Sequence, residues 1–157
     1  MEQTNNNPVL VESVDFTLPN GRVVQIGPLK KANFDNITKW IRLRYMQNIR
    51  EVVKELPTSE QTAIITHAAK DAALMSVRTE DGLKVLYESI YGYIRLCYEL
   101  IIHPDFSFED FCNIIVPEDK DVSDGAGVLN DMFFAVYNKM FVENVDSMFE
   151  RALDDMA

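Results

Sequence analysis

From Asn33 to Pro57 the chain reads NFDNITKWIRLRYMQNIREVVKELP. Phe34, Ile37, Ile41, Tyr45, Ile49, Val52 and Leu56 recur at steps of three and four, which lays them along one stripe of an α-helix. Asn33 offers a short side-chain acceptor for the free amides of a first turn starting at Phe34. Pro57 lacks the N–H needed to continue and closes the segment. A helix of this length fixes the class as mainly α, and the flanking sequence is read around it.

Upstream the period changes from 3.6 to 2. Val14, Phe16 and Leu18 alternate with Asp15 and Thr17, and Val24 with Ile26 resumes the alternation after Leu18-Pro19-Asn20-Gly21. Proline presets one turn dihedral, and Asn and Gly accept the positive φ that hairpin turns demand. The expectation is an N-terminal β-hairpin over residues 9–28, closed by Gly27-Pro28, after a flexible tail over 1–8. A two-stranded hairpin is marginal alone, so its Val14, Phe16 and Ile26 face needs a surface to cover it.

Downstream the remaining sequence is helical, and 29–157 is expected to be one helical domain, a bundle of about five helices. Thr58 with Gln61 forms a capping box for a second helix running to Val77, with Ile64, Ala68, Ala72 and Met75 on one side. After Thr79-Glu80-Asp81-Gly82 a long third helix is expected from Leu83 to Ile102, carrying Leu86, Ile90, Tyr93, Ile94, Cys97 and Ile101. His103-Pro104 ends it. Ser107 with Asp110 caps a short helix through Phe111 and Ile115, stopped by Pro117. Residues 118–127 read as an acidic loop. A last helix from Val128 carries Leu129, Phe133, Val136, Tyr137, Met140 and Phe141, its pattern extending through Leu153.

The whole chain sets further bounds. Its 157 residues, 47% apolar and 25% charged, suffice for one domain with a real hydrophobic core. The polar start Glu2-Gln3-Thr4 has neither the basic residues nor the apolar run of a secretory signal, which points to a cytoplasmic protein. No uninterrupted apolar run is long enough to span a membrane. Cys97 and Cys112 are the only cysteines, and two lone thiols without an export signal suggest reduced packing residues.

Catalysis needs a nucleophile, a base or a metal held together, and the sequence offers little of this. His67 can meet Asp71 one turn on, as a surface pair, and His103 suits a helix C-terminus. Cys97, His103 and Cys112 lack zinc spacing. Counted from Asp119, the acidic loop puts Asp124 and Asn130 where a calcium-binding EF-hand needs glycine and glutamate. No glycine cluster precedes Lys-Ser or Lys-Thr to cradle a phosphate. The chain is therefore expected to be non-enzymatic, with no cofactor and no metal.

Its charge and apolar surplus point to a partner instead. Between Arg22 and Lys54 eight basic residues meet two acidic ones, a local charge of +6 in a chain of net charge −10. Such asymmetry suits steering a partner or stacking copies head to tail, unless acidic helices of the same fold neutralise it. Trp40, Arg42, Tyr45 and Arg44 interleave aromatics with cations, yet the acidic total and the lack of a known module argue against nucleic acid. From Met132 to Val142 the last helix is apolar on more than one face, as in a helix that contacts a partner besides its own core. Seven methionines add adaptable surface. The candidate partner-binding residues are thus Trp40, Arg42 and Arg44 on the basic helix, and Phe133, Tyr137 and Phe141 on the last one.

The order of these features resembles a known family. Val14-Asp15-Phe16-Thr17-Leu18-Pro19-Asn20-Gly21-Arg22-Val23-Val24, then Pro28-Leu29 and Trp40-Ile41-Arg42, is similar to the start of tail assembly chaperones of tailed bacteriophages. Ala68-Ala69-Lys70-Asp71-Ala72-Ala73, Asp81-Gly82-Leu83 and the run from His103 to Asp110 extend the resemblance over residues 11–115. It implies a helper in the host cytoplasm that binds the long helical tape measure protein and keeps it soluble before the tail tube polymerises. The family has no catalytic residue to carry over. Two other readings stand beside it: a structural or adaptor subunit of a phage virion, and a small regulatory domain binding nucleic acid through the +6 stretch.

Overall fold

The computed structural model describes residues 13–137. The expected tail over 1–8, the hairpin's start at residue 9 and the helical continuation beyond 137, Phe141 included, lie outside the described residues. Within them the protein is mainly helical with an N-terminal antiparallel hairpin: β1 (Val14–Thr17), β2 (Val23–Ile26), α1 (Lys31–Val53), α2 (Thr58–Leu74), α3 (Glu80–Tyr87), α4 (Ile90–Leu100), α5 (Phe108–Ile115) and a sixth helix, α6, over 122–137. The chain divides into two compact units, one made of residues 1–28 with 100–157 and one of residues 29–99. The sequence carries no composition break at Glu99, inside the expected third helix.

In the discontinuous unit β1 and β2 pair Val14 with Ile26 and Phe16 with Val24, so the apolar residues share one face. The turn is tight because Leu18 uses both backbone groups: its N–H donates to Arg22 O and its C=O accepts from Gly21 N–H, both at 2.8 Å. Gly21 sits at φ 88°, a conformation that costs a residue with a Cβ about 1–2 kcal/mol. The outer edge of β2 is occupied. Gly27 N–H donates to Leu100 O at 2.9 Å and Ile102 N–H to Gln25 O at 2.8 Å, around an antiparallel bridge between Ile26 and Ile101. Strand addition by another chain at that edge is thereby blocked. Arg22 reaches Asp105 at 2.5 Å and lies over the Phe106 ring at 4.9 Å. Leu18, Ile26, Phe111, Ile115, Leu129 and Met132 are among this unit's buried side chains.

In the continuous unit α1 packs chiefly on α2 and then on α3. The core joins Ile37 and Ile41 of α1 to Met75 after α2 and to Val85 and Leu86 of α3, with Trp40 and Tyr45 against it. Ala68 and Ala72 are buried and let α2 approach closely. The N-terminal end of α1 is fastened to α4 through Glu99, a buried carboxylate. Its Oε1 accepts from Asn33 at 3.1 Å and Asn36 at 3.0 Å, and its Oε2 takes Arg95 at 2.5 Å.

Four local expectations are corrected. Asn33 does cap α1, but from its third position: the helix starts at Lys31, and the Asn33 Oδ1 accepts from Lys30 N–H at 2.8 Å. Pro57, not Thr58, is the N-cap of α2, and Gln61 turns back to the carbonyls of Lys54 and Leu56, closing α1 rather than opening α2. The long third helix is two helices. Ser89 Oγ accepts from Tyr91 N–H at the break, and a Cβ on Gly92 would stand 1.6 Å from the Leu86 carbonyl oxygen, so α4 turns against the end of α3 where only glycine fits. The acidic loop is shorter than expected. Asp121 Oδ1 accepts from Ser123 N–H at 3.3 Å and opens α6, with Asp121 and Asp124 favourably placed at its positive end.

Candidate functional site

The residues singled out on α1 are spent inside the continuous unit. Arg42 Nε donates to the carbonyl of Met75 at 2.9 Å, satisfying the frayed end of α2. Arg44 lies over Trp40 at 5.9 Å and Tyr91 at 5.6 Å, with Glu88 at 3.9 Å. Trp40 itself flanks the core. Trp40 and Arg44 are thus brought together, while Arg42 serves a different contact. Arg22 and Lys54 also hold carboxylates, Asp105 and Glu51. Asp105 and Glu88, from outside the +6 stretch, offset two of its charges, while Lys30, Lys31, Lys39 and Arg50 stay exposed.

On α6, Phe133 and Tyr137 are half-buried and their rings meet at 4.7 Å. Phe134 between them is 58% exposed. Met132 and Val136 take the buried side, so the helix does carry apolar residues on more than one face. Phe141 lies outside the described residues.

A larger feature lies along the groove between α1 and α2. Tyr45, Ile49 and Val52 of α1 face Asp71, Leu74 and Met75, and α3 adds Asp81, Lys84, Val85 and Glu88, around an open furrow of about 680 Å³. A second hollow of about 320 Å³ shares Tyr45, Ile49 and Asp71 and continues past Ile64, His67 and Ala68. Val52 is 77% exposed and Leu74 78%. Val52 turns away from the side of α1 that is buried, where Ile37, Ile41 and, at the far end, Val53 lie. A spacing that groups Val52 with Ile37 and Ile41 as core hides this.

The furrow's rim is acidic. Among the lining residues three carboxylates, Asp71, Asp81 and Glu88, stand against one ammonium, Lys84. Asp71 is 3.7 Å from His67, Lys84 is 3.8 Å from Glu80, and Glu88 accepts from Asn48 at 2.6 Å.

The thiols and histidines are otherwise disposed. Cys97 is buried, and burial pushes its thiol up to about 12; burial, with Cys97 beside it, raises the Tyr93 phenol to about 12 as well. A thiol so shifted stays protonated at neutral pH and is a poor nucleophile. His67 and Asp71 form a surface pair one turn apart. Among the described residues no three His, Cys, Asp or Glu side chains are grouped to hold a metal ion, and no helix is long and apolar enough to cross a membrane. No family model, curated protein or solved structure matches this chain.

Proposed function

We propose that this protein is a non-catalytic helper that holds a helical segment of another protein in the α1–α2 furrow. The observation that carries the reading is the run of Tyr45, Ile49, Val52, Leu74 and Val85 around open space, with Val52 and Leu74 more than three-quarters exposed. Soluble chains seldom leave large aliphatic side chains so bare along one groove unless something covers them. A groove between two helices with apolar walls suits an amphipathic helix, which inserts side chains at i, i+3, i+4 and i+7. The resemblance to tail assembly chaperones names the partner: a long helical tape measure protein, kept soluble in the host cytoplasm until the tail tube forms around it.

Co-expression tests this directly. The full chain should co-purify with the tape measure protein and keep it in the soluble fraction, and the Val52→Asp/Leu74→Asp variant should do neither. A tape measure protein that stays insoluble and unbound beside the native chain refutes the assignment. Recovery of the chain from purified particles would move it to the virion-subunit reading.

A further inference from the structure

We infer that the furrow selects a cationic amphipathic helix of about three turns; this rests on the furrow being the partner site. The charge argument comes first. The lining side chains hold Asp71, Asp81 and Glu88 against Lys84; Arg44 stands 3.9 Å from Glu88 and Lys84 reaches Glu80, so Asp71 and Asp81 carry most of the negative rim. A bound helix flanked by Lys or Arg gains from this rim, whereas an acidic one meets like charge at close range, which is strongly disfavoured. The same logic argues against the chain's own C-terminal segment as occupant. Residues 138–157 hold five carboxylates and two cations. A second copy, with a net charge of −10, is the competing occupant that self-association would reveal.

The length argument comes from the walls. On α2 the lining runs from Ala63 to Leu74, eleven residues on, and at about 1.5 Å per residue this is about 16 Å. A helix lying in it engages about ten residues, so three or four apolar anchors carry the contact. The side chains between them point at the rim, and there lysine or arginine is favoured.

The test uses fluorescein-labelled 18-residue peptides and the full chain, read by anisotropy. One peptide carries leucine at i, i+3, i+4 and i+7 with lysine elsewhere. A second replaces every lysine with glutamate, and a third scrambles the leucine positions. The cationic amphipathic peptide should bind, weakening as salt rises. Both controls should bind at least about tenfold more weakly, the first through like charge and the second through lost anchors. Asp71→Asn/Asp81→Asn should erase most of the preference for lysine over glutamate while leaving helix content unchanged. Val52→Asp/Leu74→Asp should lose binding altogether.

If lysine and glutamate peptides bind equally and both are lost in Val52→Asp/Leu74→Asp, the charge inference is overturned and the furrow remains the site. If that double variant binds like the native chain, or if no peptide binds at about 100 µM, the furrow itself is overturned. Self-association of the native chain that disappears in Val52→Asp/Leu74→Asp would assign the furrow to a second copy and sink the inference.

Discussion

Replacing Glu99 with alanine should cost about 3–4 kcal/mol, a large share of the stability of a domain this size. The Glu99 side chain is 5% exposed and its partner Arg95 18%. Losing the carboxylate removes the ionic partner of a largely buried guanidinium, a change that costs about 3–5 kcal/mol when both ions are fully buried. Arg95 keeps some solvent and rests over the Tyr98 ring at 5.3 Å, so about 2–3 kcal/mol is the reasonable share. The amides of Asn33 and Asn36 lose their acceptor at 3.1 and 3.0 Å. Asn36 is exposed and rehydrates, while Asn33 is half-buried, adding about 1 kcal/mol in all. With a urea m-value of about 2 kcal/mol/M, the midpoint should fall by about 1.5–2 M with the slope unchanged. Glu99→Gln keeps an acceptor for both asparagines and should lose only the ionic share. Arg95→Met/Glu99→Leu, which removes both charges at once, should recover much of the loss. The reasoning fails if Glu99→Ala costs less than about 1 kcal/mol, or if the Arg95–Glu99 double-mutant cycle shows no coupling.

Four further outcomes are expected. Gly92→Ala should destabilise by about 3 kcal/mol in chemical denaturation, because the new methyl would stand 1.6 Å from the Leu86 oxygen; an unchanged midpoint would mean that α3 and α4 do not meet as described. Arg42→Glu should lower stability by about 1–2 kcal/mol, since it deletes the 2.9 Å bond to the Met75 carbonyl, and a variant of native stability would mean that this bond contributes nothing. His103 sits at φ 50°, so His103→Val should cost about 1–2 kcal/mol while His103→Asn is tolerated; equal midpoints for the two would deny that conformation. Cys97 has a folded pKa pushed above its unfolded value, to about 12. The folded state therefore holds its proton more tightly, and stability that is complete below the ordinary thiol pKa should decline as pH rises from about 9 toward 12. Cys97→Ala should reduce that alkaline slope in thermal melts, leaving the share due to the Tyr93 phenol, which is raised to about 12 as well, and a slope unaltered by the substitution would contradict the burial of the thiol.

The sequence displays the parts of this fold that depend on local chemistry. The Leu18–Gly21 turn, the Ser107–Asp110 cap and the stripe through Ile37 and Ile41 each follow from a few adjacent residues. What escapes is decided between segments. Gly92 looks like an ordinary helix residue until the Leu86 carbonyl is seen beside it. Gln61 satisfies a capping pattern for α2 yet finds stronger acceptors at the end of α1, where two carbonyls are free. The candidate site shows the same division. A basic stretch around Trp40 suggests a contact surface, and Arg42 and Arg44 also meet neighbours 33 and more residues away, which periodicity cannot show. Conversely, Val52 is placed on the apolar stripe by its spacing, whereas the structure buries Val53 and leaves Val52 on the furrow.

The bridge between Ile26 and Ile101 bears on how the protein is made. One unit is continuous, residues 29–99, whereas the hairpin belongs with residues that follow it. At about 5–20 residues per second, a ribosome needs several seconds to pass from one side of that bridge to the other. The hairpin leaves the exit tunnel with its β2 edge bare and waits, while residues 29–99 collapse around nearer neighbours. Only when 100–102 arrives is the edge closed. The interval is the time at which a nascent chain, or a crowd of them on one message, is most exposed to mispairing through that edge. Charged and turn-forming residues at Arg22 and Gly21 are well placed to discourage it.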